Sequence, residues 1–227
     1  MSGKPNAQYN LAASDSLAAR VGATTRRKMF QDFMKFFGPS KDETVLDIGA
    51  TSDSAYAASN YFEDLYPYKD RITASGVDDA SFLETRYPGI KFTYADALKL
   101  PFEDNSFDLV HSSAVLEHVG SLENQKKMIA ESLRVARRGI CLTTPNRWFP
   151  VDFHTQLPLI HWLSKPIGRA LFKKLGYEFF AEEANLNLMT RSEIKEIVTS
   201  IDGWSFDIRS ATVLGWQSNL ILFGERI

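Results

Sequence analysis

Cysteine is almost missing from this chain: Cys141 is the only one in 227 residues. One thiol cannot close an internal disulfide, and with four histidines in no regular spacing it cannot complete a structural zinc site. Its setting, Ile140-Cys141-Leu142, is apolar, so the thiol is expected as a small buried hydrophobe rather than a nucleophile. No apolar run is long enough to span a bilayer. The opening residues, MSGKPNAQYN, lack the apolar core of a secretory signal, and a cytoplasmic location is expected. Positive charge is not in excess either. Lys plus Arg number 26 against 28 Asp plus Glu, a formal charge of −2, without the basic footprint of a nucleic-acid binder. Internal repeats and low-complexity segments are absent, and oligomeric state is left open.

What is present suits one soluble α/β domain. Hydrophobic residues make up 44% and charged residues 24%, ample for a core. Met29/Phe30, Phe33 and Phe37 recur at helical spacing, giving a helix over Ser14–Phe37 that Gly38-Pro39-Ser40 ends. It reads as a helical cap over residues 14–38, packing on the sheet or forming part of a lid. Five strands follow: Val45–Ile48, Ile72–Val77, Ile90–Tyr94, Phe107–Ser112 and Ile140–Thr143. Helices are expected at Ala55–Leu65 and Ala80–Thr85. A further helix has an inner face of Leu122, Gln125, Ile129, Leu133 and Ala136, with Gly139 as its cap. Alternation of this kind makes βαβ units and a mostly parallel sheet. The last two strands, Ser205–Val213 and Ser218–Phe223, are joined by Leu214-Gly215-Trp216-Gln217 as a hairpin, so one of them runs antiparallel.

Residues 146–190 are too long and too aromatic for a plain crossover, and they read as an extra core that also walls a substrate pocket, an insertion or lid. Two basic runs read as solvated faces: Lys126, Lys127, Arg134, Arg137 and Arg138, and then Lys165, Arg169, Lys173 and Lys174. Weak peripheral contact of the second run with an anionic lipid surface is a minor reading.

Chemistry concentrates at the carboxyl ends of the first strands. Val45-Leu46-Asp47-Ile48-Gly49 is a strand running into a glycine turn, where α/β proteins bind nucleotide-like ligands. Asp78 follows the second strand and Asp96 the third, so three carboxylates share one rim. An acceptor-only carboxylate suits ribose hydroxyls or an exocyclic amine. A nicotinamide dehydrogenase would need Gly-x-Gly-x-x-Gly after the first strand, and that pattern is absent.

These stretches, with Ala95-Asp96-Ala97-Leu98-Lys99-Leu100-Pro101-Phe102 and Phe107-Asp108 through Leu116-Glu117-His118-Val119, resemble the class I S-adenosylmethionine-dependent methyltransferases of the small-molecule type. The resemblance covers roughly residues 40–145. It implies a Rossmann-like three-layer sandwich with a mostly parallel seven-stranded sheet of order 3-2-1-4-5-7-6, an antiparallel C-terminal hairpin and a helical insertion after strand five. It also implies S-adenosyl-L-methionine as cofactor and S-adenosyl-L-homocysteine as product. Asp47 and Gly49 would approach the methionine part, Asp78 the ribose, and Asp96 with Ala97 the adenine. Ser112 and Ser113 would lie near the methionine amine or the transferred methyl. The family loop usually continues with glycine where Thr51 stands, so Thr51 and Asp53 are expected to contribute side-chain hydrogen bonds or a different loop path.

In some quinone-pathway relatives an additional acid in the Leu-Glu-His-Val segment completes a divalent metal site. That position here is Ala114, and no metal is expected. Glu117 reads as shaping the helix start, and His118 and His154 as candidate bases. Asn146, Arg147 and Trp148 follow strand five at the same rim and are expected to touch a small-molecule acceptor. The implied activity is methyl transfer to an O, N or C nucleophile of a small molecule or saccharide/lipid precursor. The alternative is a methyltransferase-like binding or scaffold protein, which the Thr51 loop would favour.

Overall fold

Residues 17–53 and 58–227 are described by the computed structural model. Parallel strands β1 (Val45–Ile48), β2 (Ile72–Gly76), β3 (Lys91–Tyr94), β4 (Phe107–Ser113) and β5 (Ala136–Pro145) are followed by a hairpin of β6 (Trp204–Val213) and β7 (Trp216–Arg226). The order is β3-β2-β1-β4-β5-β7-β6, with β7 antiparallel to β5, as the resemblance implied. Strand residues alternate between two cores because successive side chains point to opposite faces. Val45, Leu109, Cys141 and Phe223 enter one core, and Leu46, Val110, Leu142 and Leu222 the other. Both faces of β1 are covered, so all four of its residues are buried.

Helix α1 (Leu17–Phe37) lays Met29, Phe33 and Phe37 on the first core beside α2 (Tyr61–Leu65) and α3 (Phe82–Arg86). Phe33 is the hub, with rings of Phe37, Phe62, Tyr66 and His111 within 6.4 Å between centroids. The opposite face carries α4 (Leu122–Val135) and α7 (Arg191–Thr199), which contribute Met128, Ile129, Leu133, Ile194 and Val198. Thr190 and Glu193 form a reciprocal capping box that starts α7. The aromatic stretch folds into α5 (Lys165–Lys174) and α6 (Glu178–Ala181), and builds a third small core on Phe172, Phe180, Leu186 and Leu188.

The structure corrects several sequence expectations. Gly139 does not cap α4; the helix ends at Val135 and β5 begins at once, so Ala136 belongs to the strand. Gly139 sits inside β5, where a Cβ would strike the Phe37 ring, so it serves the close approach of α1. Leu122 is exposed rather than on the inner face. The hairpin loop is two residues, Leu214 and Gly215, both at positive φ, the geometry that matches strand twist. The first basic run is exposed at Lys126, Lys127 and Arg137, as expected of a solvated face, but Arg134 and Arg138 are half-buried and its arginines are all paired. Arg134 bridges Glu131 and Asp104 and donates to the carbonyls of Leu100 and Phe102, while Arg137 pairs with Asp108 and Arg138 with Glu43. In the second run, Lys165 pairs with Glu193 and Arg169 with Glu183. The expected helix starts at Ser14 and Ala55 fall on residues outside the described ones.

Candidate active site

The turn after β1 is locked on three sides. Gly49 takes φ +101°, and a Cβ there would run into Val115 in the turn after β4. The Gly49 and Ala50 N–H groups both donate to the Ser75 carbonyl, at 2.7 and 2.9 Å. A Cβ on Gly76 would overlap the Ala50 carbonyl, so β2 must end in glycine for the turn to lie against it. Thr51 is held by the Asn60 side chain, which accepts from the Thr51 N–H and donates to its carbonyl, both at 2.9 Å. The Thr51 hydroxyl accepts from the Asp53 N–H at 3.1 Å, and Ser59 donates to the Asp53 carboxylate at 3.0 Å. Side chains thus shape the loop where a second glycine was expected.

This turn opens on a cavity of about 490 Å³, within the range of small-ligand sites. Gly49, Thr51, Asp96, Ala97, Ser113, His118 and His154 line it, so the structure brings these expected residues together. Thr25, Arg26 and Met29 of α1 and Phe153 of the insertion complete the wall; sequence periodicity marked Met29 only as core. Asp96 is exposed at the mouth, where one carboxylate oxygen accepts the Leu98 N–H at 2.8 Å. Asp78 stands just past β2, next to the lining residue Val77, half-buried, and burial raises its carboxyl above the usual range.

Other expected residues are not brought to the cavity. Ser112 spends its hydroxyl on the Ile48 carbonyl at 2.8 Å, stapling β4 to β1. Asn146 donates to the Gln217 carbonyl and accepts from the Trp148 N–H, which pins the chain leaving β5. Arg147 donates to the carbonyls of His161 and Leu163 and so ties the insertion together. Trp148 is 47% exposed near Trp162. All three sit apart because the chain turns away from the sheet rim immediately after Pro145.

Asp47 is buried behind the turn. Its carboxylate meets His111 Nδ1, Phe62 stacks on that ring, and Tyr61 lies 3.3 Å from the other ring nitrogen. Burial pushes the Asp47 carboxyl up to about 7, although Glu63 bonding opposes this. Burial, with the neighbouring Asp47 charge, raises Glu63 well above the carboxylate range, and burial drives His111 down to about 3.

Beside the cavity, where His118 and His154 line it, three side chains converge. His118 and His154 face each other with their Nε2 atoms 3.1 Å apart and their planes at 85°. Glu117 is fully buried, with one oxygen accepting from Thr144 at 2.9 Å. Its other oxygen is 3.9 Å from His118 Nε2 and 3.8 Å from His154 Nε2, and has no hydrogen-bond partner among the described residues. His118 Nδ1 donates to the Asn185 carbonyl at 2.7 Å. Asp152 holds His154 Nδ1 at 3.1 Å and also accepts from Thr155. Burial, then the charge of His154, drives His118 down to about 3. Burial works against charge on His154, but Asp152 and Glu117 outweigh it and raise that ring. Sequence reading singled out both histidines but not Asp152, whose only sequence signal is its place two residues before His154.

The comparisons with known proteins agree with this fold. A family profile described as a methyltransferase domain matches residues 47–142. That segment runs from β1 to β5, and the strand order is that of the Rossmann-like methyltransferase fold. It is 30% identical over 124 residues to a demethylmenaquinone methyltransferase of Staphylococcus aureus, covering 54% of this chain and 51% of that protein. The chain thus spans about half the length of the curated relatives it matches. Among solved structures, magnesium protoporphyrin IX methyltransferase from Synechocystis PCC 6803, with bound SAH, superposes at a TM-score of 0.58 and 15% identity, covering 97% of this chain and 91% of that one. The 1,6-didemethyltoxoflavin-N1-methyltransferase of Burkholderia thailandensis, with bound 1,6-didemethyltoxoflavin and S-adenosylhomocysteine, superposes at a TM-score of 0.58 and 14% identity, covering 95% of this chain and 91% of that one.

Proposed function

We propose that this protein transfers a methyl group from S-adenosylmethionine to a nucleophilic O, N or C atom of a small molecule or saccharide/lipid precursor. The observation that carries the reading is the single cavity joining the Gly49 turn, the Asp96-Ala97 segment and the His118/His154 pair. The donor set fits the cofactor. Ala97 and Leu98 offer apolar wall for a flat base beside the Asp96 carboxylate, and Asp78 stands one strand over for a ribose. The cofactor supplies a methyl on a positively charged sulfur, which leaves as a neutral thioether. Little acid–base help is then needed, and the chain's task is alignment. The Gly49–Thr51 loop would hold the amino-acid end and Ser113 would lie beside the path of transfer. Where the acceptor must lose a proton, His118 and His154 stand at that end. The aromatic insertion, with Phe153 on the cavity wall, would close over the acceptor as a lid.

Calorimetry with S-adenosylmethionine tests this. Binding is expected, and Asp96→Ala or Asp78→Ala should weaken it by ~10–100-fold, the worth of a hydrogen bond to a charged group. A folded protein that binds neither S-adenosylmethionine nor S-adenosylhomocysteine would refute the reading and leave a scaffold role. Unchanged affinity in Asp78→Ala would remove Asp78 from the ribose site.

A further inference from the structure

The geometry points to a divalent transition-metal site formed by Glu117, His118 and His154, its open face turned to the cavity, which would bind the acceptor through an oxygen. The substrate half of this inference rests on the methyltransferase reading; the metal half does not.

Three donor atoms converge: the unpartnered oxygen of Glu117 and the two Nε2 atoms, spaced 3.1, 3.8 and 3.9 Å. The point equidistant from them lies about 2.1 Å from each, the bond length of zinc to imidazole nitrogen or carboxylate oxygen. The tautomers agree. His118 Nδ1 faces a carbonyl and His154 Nδ1 a carboxylate, so each carries its proton on Nδ1. Two Nε2 lone pairs then meet across 3.1 Å, and something positive must lie between them. A shared proton would bridge the two nitrogens but would leave the Glu117 oxygen, 3.8 Å or more away, buried without a partner. A metal ion satisfies all three.

Each donor is also backed by an outer partner, as metal ligands usually are: Thr144 on Glu117, the Asn185 carbonyl on His118 and Asp152 on His154. Two imidazoles and one carboxylate leave coordination positions open, and both histidines line the cavity. A bound hydroxyl would release its proton to solvent more readily. The resulting oxygen anion would form the O–CH3 bond as the CH3–S bond breaks, its electron pair staying on sulfur. His118 and His154 then serve as ligands, and the acceptor class is a hydroxyl compound.

Titration of chelator-treated protein with Co²⁺, read by visible absorption and without S-adenosylmethionine, tests the site. We expect intense d–d bands saturating at a single ion per chain, reversed by Zn²⁺. Asp152→Asn should weaken Co²⁺ binding by ~10–100-fold, the usual cost of losing an outer partner. Glu117→Gln and His154→Gln should weaken it further, and circular dichroism reports whether they fold. Asp96→Ala should bind Co²⁺ as the parent does. A spectrum of the free aquo ion, or one unchanged in His154→Gln and Asp152→Asn, would overturn the site. If Co²⁺ fails while S-adenosylmethionine binds, the metal inference falls alone. If Co²⁺ binds while S-adenosylmethionine does not, the site stands and the methyltransferase reading falls. Metal-stripped protein that methylates a hydroxyl acceptor at full rate would overturn the acceptor assignment.

Discussion

Asp47 shows how one residue can sit in a family motif and still take its chemistry from its surroundings. It lies with His111 and Glu63 in a dry cluster, where burial disfavours every charge. The folded carboxyl holds its proton up to about pH 7, whereas the unfolded one releases it near 4. Its contribution to stability is therefore full below about pH 4 and is lost as pH rises through 7. His111 acts in the opposite sense: the unfolded ring binds a proton below 6.5 and the folded ring only near 3, so its contribution fades as pH falls across that window. Asp47→Asn removes the first slope and leaves the second. The melting temperature of this variant should rise more between pH 5 and pH 8 than that of the parent, and parallel profiles would show that Asp47 does not titrate there. Asn60 is the matching case in the loop. Asn60→Ala strips both bonds from Thr51 and should cost about 1–3 kcal/mol, read by denaturant unfolding, with weaker cofactor binding by calorimetry.

At the level of elements, α1 does two jobs along one apolar stripe. Phe33 and Phe37 anchor it to the sheet, while Thr25, Arg26 and Met29 face the cavity. Phe33 is wholly buried among four aromatic rings, so Phe33→Ala should destabilise the fold by about 3–5 kcal/mol in denaturant unfolding. A loss below 1 kcal/mol would mean that α1 is only loosely docked. The helical spacing of Met29, Phe33 and Phe37 made this legible in advance, because periodic burial is written locally. The α4–β5 junction was not legible. Gly139 resembles a helix stop, yet β5 pairing with β4 and β7 pulls Ala136 and the residues after it into the sheet. Long-range hydrogen bonds outweighed the local signal there.

The whole molecule couples cofactor to stability, since the cavity is walled by α1, by the ends of β1, β2 and β4 and by the insertion. At a hundred times its dissociation constant, S-adenosylhomocysteine should add about 2.7 kcal/mol. For a chain of this size that is a rise of roughly 5–10 °C in melting temperature, at roughly 2–4 °C per kcal/mol, by calorimetric scan. No rise would mean the cavity does not take this ligand.

The order of strands and helices, the glycine turn and the acids at the strand ends were determined by the sequence alone. Alternation, periodicity and turn chemistry act over a few residues and can be read there. Only the tertiary structure decided which of those residues meet. His118 and His154 are 36 positions apart, and Asp47 and His111 are 64 apart. His154 reaches the cavity because Asp152 and Thr155 fold their own loop beneath it, while Arg147, Asn146 and Trp148, nearer strand five, are carried off by bonds to the insertion and to Gln217 and Ser218 of β7. Such pairings are set by packing across the fold, which no local pattern records.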